Sequence, residues 1–146
     1  MRISDCRVPH AASRMQALLL ERYAMPFAWG FRDCALFAAD CVEAVTGRDP
    51  AADFRGAYLS ALGALRIIRA HGGLAELAAA RVGPAIEASS AIDGDVCLLL
   101  PHAHETPLPG LGALGVLWRG AIIAQGDSGL GVHRLAAADR WWRAKP

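Results

Sequence analysis

The pair Asp33-Cys34 is the point in this chain where residue type and position could do chemistry. A helix pattern begins there: Phe37, Ala38, Cys41 and Val45 recur at helical spacing, and Gly47 supplies a stop. Asp33 is a residue type that caps a helix by accepting an N–H from its first turn. Cys34 then becomes the first helical residue. A thiol placed there faces unpaired backbone N–H groups and the positive end of the helix dipole, and both favour the thiolate. The same N–H groups could hold an oxyanion after attack on a carbonyl. The plainer reading makes Cys34 a small buried hydrophobe, like Cys41 two turns further on.

A cysteine nucleophile needs a base within hydrogen-bond reach. His102 and His104, with Glu105 beside them, lie in a proline-containing loop over 101–112 that could fold toward Cys34. His133 falls on a strand pattern that could aim it inward or outward. His10 and His71 fall near helix ends and read as surface residues. The alternative for each is a solvated histidine. His102 and His104 form the closest pair of metal-ligand types, but spacing indicates no further ligand, so no metal and no cofactor is expected.

The elements that must position these groups change character along the chain. Helices are expected over 16–25, 34–46, 59–70 and 74–81, with a loop over 83–90. Strands are expected over 96–100, 113–118, 121–125 and 131–135. Arg119-Gly120 should turn the hairpin between the second and third of these. Trp141 and Trp142 would point to opposite sides if extended, one buried and one exposed. Helices first and strands second give an α+β domain, the helices packed on a small antiparallel sheet.

The chain has 146 residues, the size of one domain, taken over 1–146. Apolar residues make up 54% and charged residues 20%, which excludes a disordered chain. The net charge is +1, from 15 basic and 14 acidic residues, and the arginines are scattered. That removes the basic field needed for nucleic acid and the polybasic patch needed for anionic membranes. No apolar run approaches the roughly 20 residues of a membrane helix, and residues 1–15 lack a signal-peptide core. Synthesis in the cytoplasm is therefore expected. Four cysteines without a CxxC pair, Cys6, Cys34, Cys41 and Cys97, do not suggest a disulfide framework.

Three segments carry a resemblance. Residues 27–40 (Phe-Ala-Trp-Gly-Phe-Arg-Asp-Cys-Ala-Leu-Phe-Ala-Ala-Asp), 46–50 (Thr-Gly-Arg-Asp-Pro) and 55–58 (Arg-Gly-Ala-Tyr) resemble small proteins encoded in phage and prophage tail operons. Those proteins are similar to divergent NlpC-type, papain-like cysteine peptidases. The resemblance implies a papain-like fold, incorporation in a phage tail, and partners among tail proteins or cell-wall peptides. It implies Cys34 as the catalytic cysteine and matches Gly94-Asp95-Val96 to the opening of the first core strand. The family's base histidine opens the next strand in a His-apolar-Gly-apolar pattern, which here reads Ala113-Leu114-Gly115-Val116. Gln125 stands where the residue that orients the histidine is expected. Trp29, Arg32 and Asp33 are the substrate-binding candidates beside Cys34. Arg55 could join Arg32 and Asp33 in an ion-pair cluster, or simply brace the helices.

With Ala113 in place of the base, two readings follow. One is a degenerate thiol-hydrolase fold used for binding or tail assembly. The other is an active peptidase or amidase on peptidoglycan peptides, with a displaced base from His102 or His104. A small-molecule amidase or acyltransferase on the same fold is a third.

Overall fold

The computed structural model describes residues 7–101 and 111–146. Four α-helices come first: α1 (Ala11–Arg22), α2 (Cys34–Thr46), α3 (Ala61–Ala70) and α4 (Leu74–Arg81). The strands follow: β1 (Ala85–Ile86), β2 (Val96–Leu99), β3 (Ala113–Trp118), β4 (Ala121–Gln125), β5 (Leu130–His133) and β6 (Ala138–Trp142). They form one antiparallel sheet in the order β1-β6-β2-β3-β4-β5. The α+β architecture follows the sequence pattern.

The helix α2 lies against one face of this sheet. Its two ends are closed by the residues expected. Asp33 Oδ1 accepts the Leu36 N–H at 2.9 Å, and Gly47, left-handed at φ 83°, donates its N–H to the Glu43 carbonyl at 2.8 Å. Phe37, Cys41, Val42 and Val45 meet Val96, Val116, Ile123 and Trp142 in the main core. Burial of each such side chain contributes about 1.5–3 kcal/mol. A second cluster on the other sheet face contains Cys97, Leu99, Ala113, Ile122 and Trp141, with Ile86, Ala91 and Ala137 packed over it.

Several boundaries differ from expectation. The first helix runs over 11–22, not 16–25, and ends before Pro26 acts as a stop; His10 opens it in a left-handed conformation at φ 61°. The third helix begins at Ala61 because Ser60 caps it, its side chain accepting the Gly63 N–H at 3.1 Å. The segment expected as a loop over 83–90 contains the two-residue strand β1 and a 3-10 turn, Ala88–Ser90. The last hairpin strand ends at His133, and a 3-10 turn occupies Leu135–Ala137.

The largest difference concerns Trp141 and Trp142. They do not merely end the chain. They belong to β6, which runs between β1 and β2. The two rings do project to opposite faces, but both are buried, at 5% and 3% exposure, because each face carries its own apolar cluster. Among the described residues no helix is long and apolar enough to cross a membrane.

Candidate functional site

The loop before α2 is built to hold its first turn. Gly30 has φ 77°, and a Cβ there would strike the Tyr58 carbonyl oxygen, so this close approach requires glycine. The contact is locked by the Gly56 N–H, which donates to the Gly30 carbonyl at 2.9 Å. Asp33 sits inside this junction at 2% exposure. Its Oδ1 caps α2, while Oδ2 accepts the Gly30 N–H at 3.1 Å and the hydroxyl of Tyr58. The carboxylate is thus fully engaged in structure. Burial, and then the neighbouring Asp33 charge, push the Tyr58 phenol upward.

Cys34 is the first residue of α2 and is half-buried. It packs against the cluster that contains Ala113. Its thiol is pushed up to about 12, first by burial and then by the Asp33 carboxylate. Backbone groups of Leu114, Ala35 and Cys34 itself pull it back only in part. The helix start therefore does not yield the low-pKa thiolate that its position suggests. Desolvation disfavours the charged form, and the capping carboxylate adds a like charge beside it. Asp33→Asn keeps an oxygen at the cap and removes the charge, so it should lower the Cys34 pKa. The pH profile of iodoacetamide alkylation should shift to lower pH, and an unmoved profile would refute the assigned cause.

An apolar cleft opens beside the thiol. Trp29, Cys34, Tyr58, Ile67, Ile68 and Ala113 are among its lining residues. The polar side chains that reach it are already partnered. Tyr58 donates to Asp33, Arg81 pairs with Asp53, and Gln125 Nε2 donates to the Met25 carbonyl at 2.9 Å and the Gly126 carbonyl at 3.0 Å. Trp29 is half-buried and edge-on to Phe27, with ring centroids 4.7 Å apart.

The other candidates divide. Arg32 braces the loop by donating from Nε to the Pro26 carbonyl at 2.9 Å. Arg55 pairs with Asp40 and Asp49, both at 2.7 Å, not with Asp33. Asp40 also meets Arg22, so this network ties α1, α2 and the following loop. Arg55 is thus the brace and not part of a cluster at the thiol. Gln125 is buried at 1% and accepts from Arg22 at 3.5 Å. The β3–β4 register pairs Val116 with Ile123, and Ala113 and Gln125 both line the cleft beside Cys34. The Gln125 amide is engaged by Arg22 and by the Met25 and Gly126 carbonyls, and Ala113 offers it no imidazole to orient.

His133 is half-buried on β5, opposite Ile122. His10 is exposed, while His71 is half-buried, with Nδ1 2.9 Å from the Ile67 carbonyl and its ring edge-on to Phe54. Cys6, His102, His104 and Glu105 lie outside the described residues. Tyr58 is the site residue that the sequence reading passed over; its place in the matching 55–58 segment was the available signal.

Residues 6–144 match a family described as a domain of unknown function, DUF6950. The chain belongs to this family. A search of curated proteins finds no match to it. The DUF6950 match spans both the helices that hold Asp33-Cys34 and the strands that face them.

Proposed function

We propose that this DUF6950 protein is a tail-associated binding protein that keeps an NlpC-type, papain-like fold without its peptidase chemistry. The observation that carries the reading is the partner of the thiol. Cys34 stands at the start of a helix packed on an antiparallel sheet, and the cluster it packs against includes Ala113, the first residue of β3. An alanine can neither take a proton from the thiol nor return one to a leaving amine. A thiol pushed up to about 12 fits a site where Cys34 stays protonated. The apolar cleft beside it fits a binding role, receiving a peptide segment of a tail protein or of the cell wall. The tail setting itself rests on the resemblance of residues 27–40, 46–50 and 55–58.

The test places the unmodified protein on purified cell-wall peptides beside a Cys34→Ala control. The expected result is no cleavage by either. Binding, read from the tryptophan fluorescence change that Trp29→Phe removes, should survive Cys34→Ala. Robust cleavage that disappears in the control would overturn the binding reading in favour of an active hydrolase. His102→Ala and His104→Ala would then locate the displaced base.

A further inference from the structure

The helix α3 is strongly amphipathic, yet Ala64 is its only fully buried residue. At 100° per residue, Ala64, Ile67 and Ile68 share the face that lines the cleft. Leu62, Arg66 and Arg69 lie on the opposite face, and all three are exposed. Leu62 is 56% exposed, and Leu59, just before the Ser60 cap, is 73% exposed. Phe31 is also exposed, at 54%. Its loop is bonded to Gly56, and Tyr58 packs on Gly63 in the first turn of α3. Leu59 and Leu62 thus stand exposed at the helix start, and two arginines follow along the stripe. Leu62 and Arg69 are seven positions apart, about 10 Å along the axis. Neither arginine meets a carboxylate among the described residues, whereas Arg22, Arg55, Arg81 and Arg143 are all paired.

We propose that this outer face of α3, with Leu59, is a docking surface for an acidic polypeptide segment that carries apolar side chains about 10 Å from its carboxylates. The charge pattern chooses the occupant. Apolar contact alone would accept any greasy surface, but two unpaired guanidinium groups beside it favour carboxylates, which they can grip in bidentate fashion. Two cations on a chain of net charge +1 are too few to hold an anionic membrane, where stable anchoring takes a larger basic cluster. The surface points away from the Cys34 cleft, so the inference stands apart from the reading of that site.

The test uses the full chain and two fluorescein-labelled 12-residue peptides. Each carries a Leu-Leu pair and a Glu-Glu pair about 10 Å apart, one spaced for an extended strand and one for a helix. At least one should bind saturably, and more weakly as salt rises. Arg66→Glu with Arg69→Glu should weaken binding by about tenfold or more, Arg66→Gln with Arg69→Gln by less, and Leu62→Ser should weaken it independently of salt. These positions are exposed, so melting curves should match those of the unmodified protein. Three results would overturn the proposal: no saturable binding up to about 1 mM, equal binding of glutamine-substituted peptides, or binding unchanged by the double reversal. Capture by phosphatidylserine vesicles without peptide binding would also overturn it. So would a dimer that Leu62→Ser dissolves.

Discussion

Asp95→Ala should destabilise the protein by about 3–5 kcal/mol, a large part of the roughly 5–15 kcal/mol that holds a domain of this size. Asp95 is fully buried and anchors both ends of the chain. Its Oδ1 meets Arg7 at 2.9 Å and accepts the Ala144 N–H at 3.1 Å. Its Oδ2 lies 3.0 Å from Arg143 and accepts the Ile92 N–H at 3.0 Å. Removing the carboxylate strands Arg143, itself only 6% exposed, and leaves two backbone donors without an acceptor. A buried charge without its partner is the expensive outcome, so Asp95→Ala should cost much less in an Arg143→Ala background. Urea unfolding midpoints of the two single variants and the double variant measure this. A loss under about 1 kcal/mol for Asp95→Ala would mean that the anchor is not where the energy lies.

The same residue shows where the sequence stopped being readable. Gly94-Asp95 was legible as the opening of a strand, because the turn signal and the apolar run after it are local. The partners of Asp95 are not local: Arg7 and Arg143 come from opposite ends of the chain. The pattern holds elsewhere. Helix α2 was legible to the residue because its cap, its apolar spacing and its glycine stop all lie within it. The β3–β4 hairpin was legible because Arg119 and Gly120 adopt the positive φ values, 48° and 82°, that such a turn demands. Strand β6 was hidden because Asp139 and Arg140 give it a polar start, and what makes it a strand is pairing with β2 and β1. Strand β1 has two residues and no alternation to detect.

The site divides along the same line. That Cys34 opens a helix behind a capping Asp33 was readable from two adjacent residues. That Tyr58 claims the carboxylate was not, since the contact spans 25 positions. Nor could one sequence show that Arg22 and the Met25 carbonyl engage the Gln125 amide, contacts that span 103 and 100 positions. The dipole argument for a thiolate used the one influence visible in sequence. Of the opposing influences, the like charge of Asp33 was there to read beside Cys34, and burial, the larger one, needs the fold.

Raising the pH above 9 should unfold the protein progressively, and Cys34 should reveal why. A thiol has an ordinary value of 9.0, and folding pushes Cys34 and Cys97 up to about 12 and Cys41 well above its ordinary value, burial being the first cause in each. Between 9 and 12 the unfolded chain has released thiol protons that the native state retains. Unfolding therefore gains free energy as pH rises, and stability present below pH 9 is lost through that window. The ceiling is about 1.4 kcal/mol per pH unit for each thiol. Urea midpoints should fall little from pH 8 to 9 and more from 9 to 10, and Cys34→Ser should flatten the second step. Stability that is level across this range would refute the assignment. Alkylation gives the sharper reading of Cys34 alone. At pH 8 its thiolate fraction should be about a thousandfold below that of an ordinary cysteine, the difference between 12 and 9.0. Its iodoacetamide rate should then climb about tenfold per pH unit from 8 to 10 without levelling, ahead of Cys41, which is 0% exposed. A plateau below pH 8 would instead mark an activated thiolate. That result would require a cationic partner beside Cys34 and return the site to the nucleophiles.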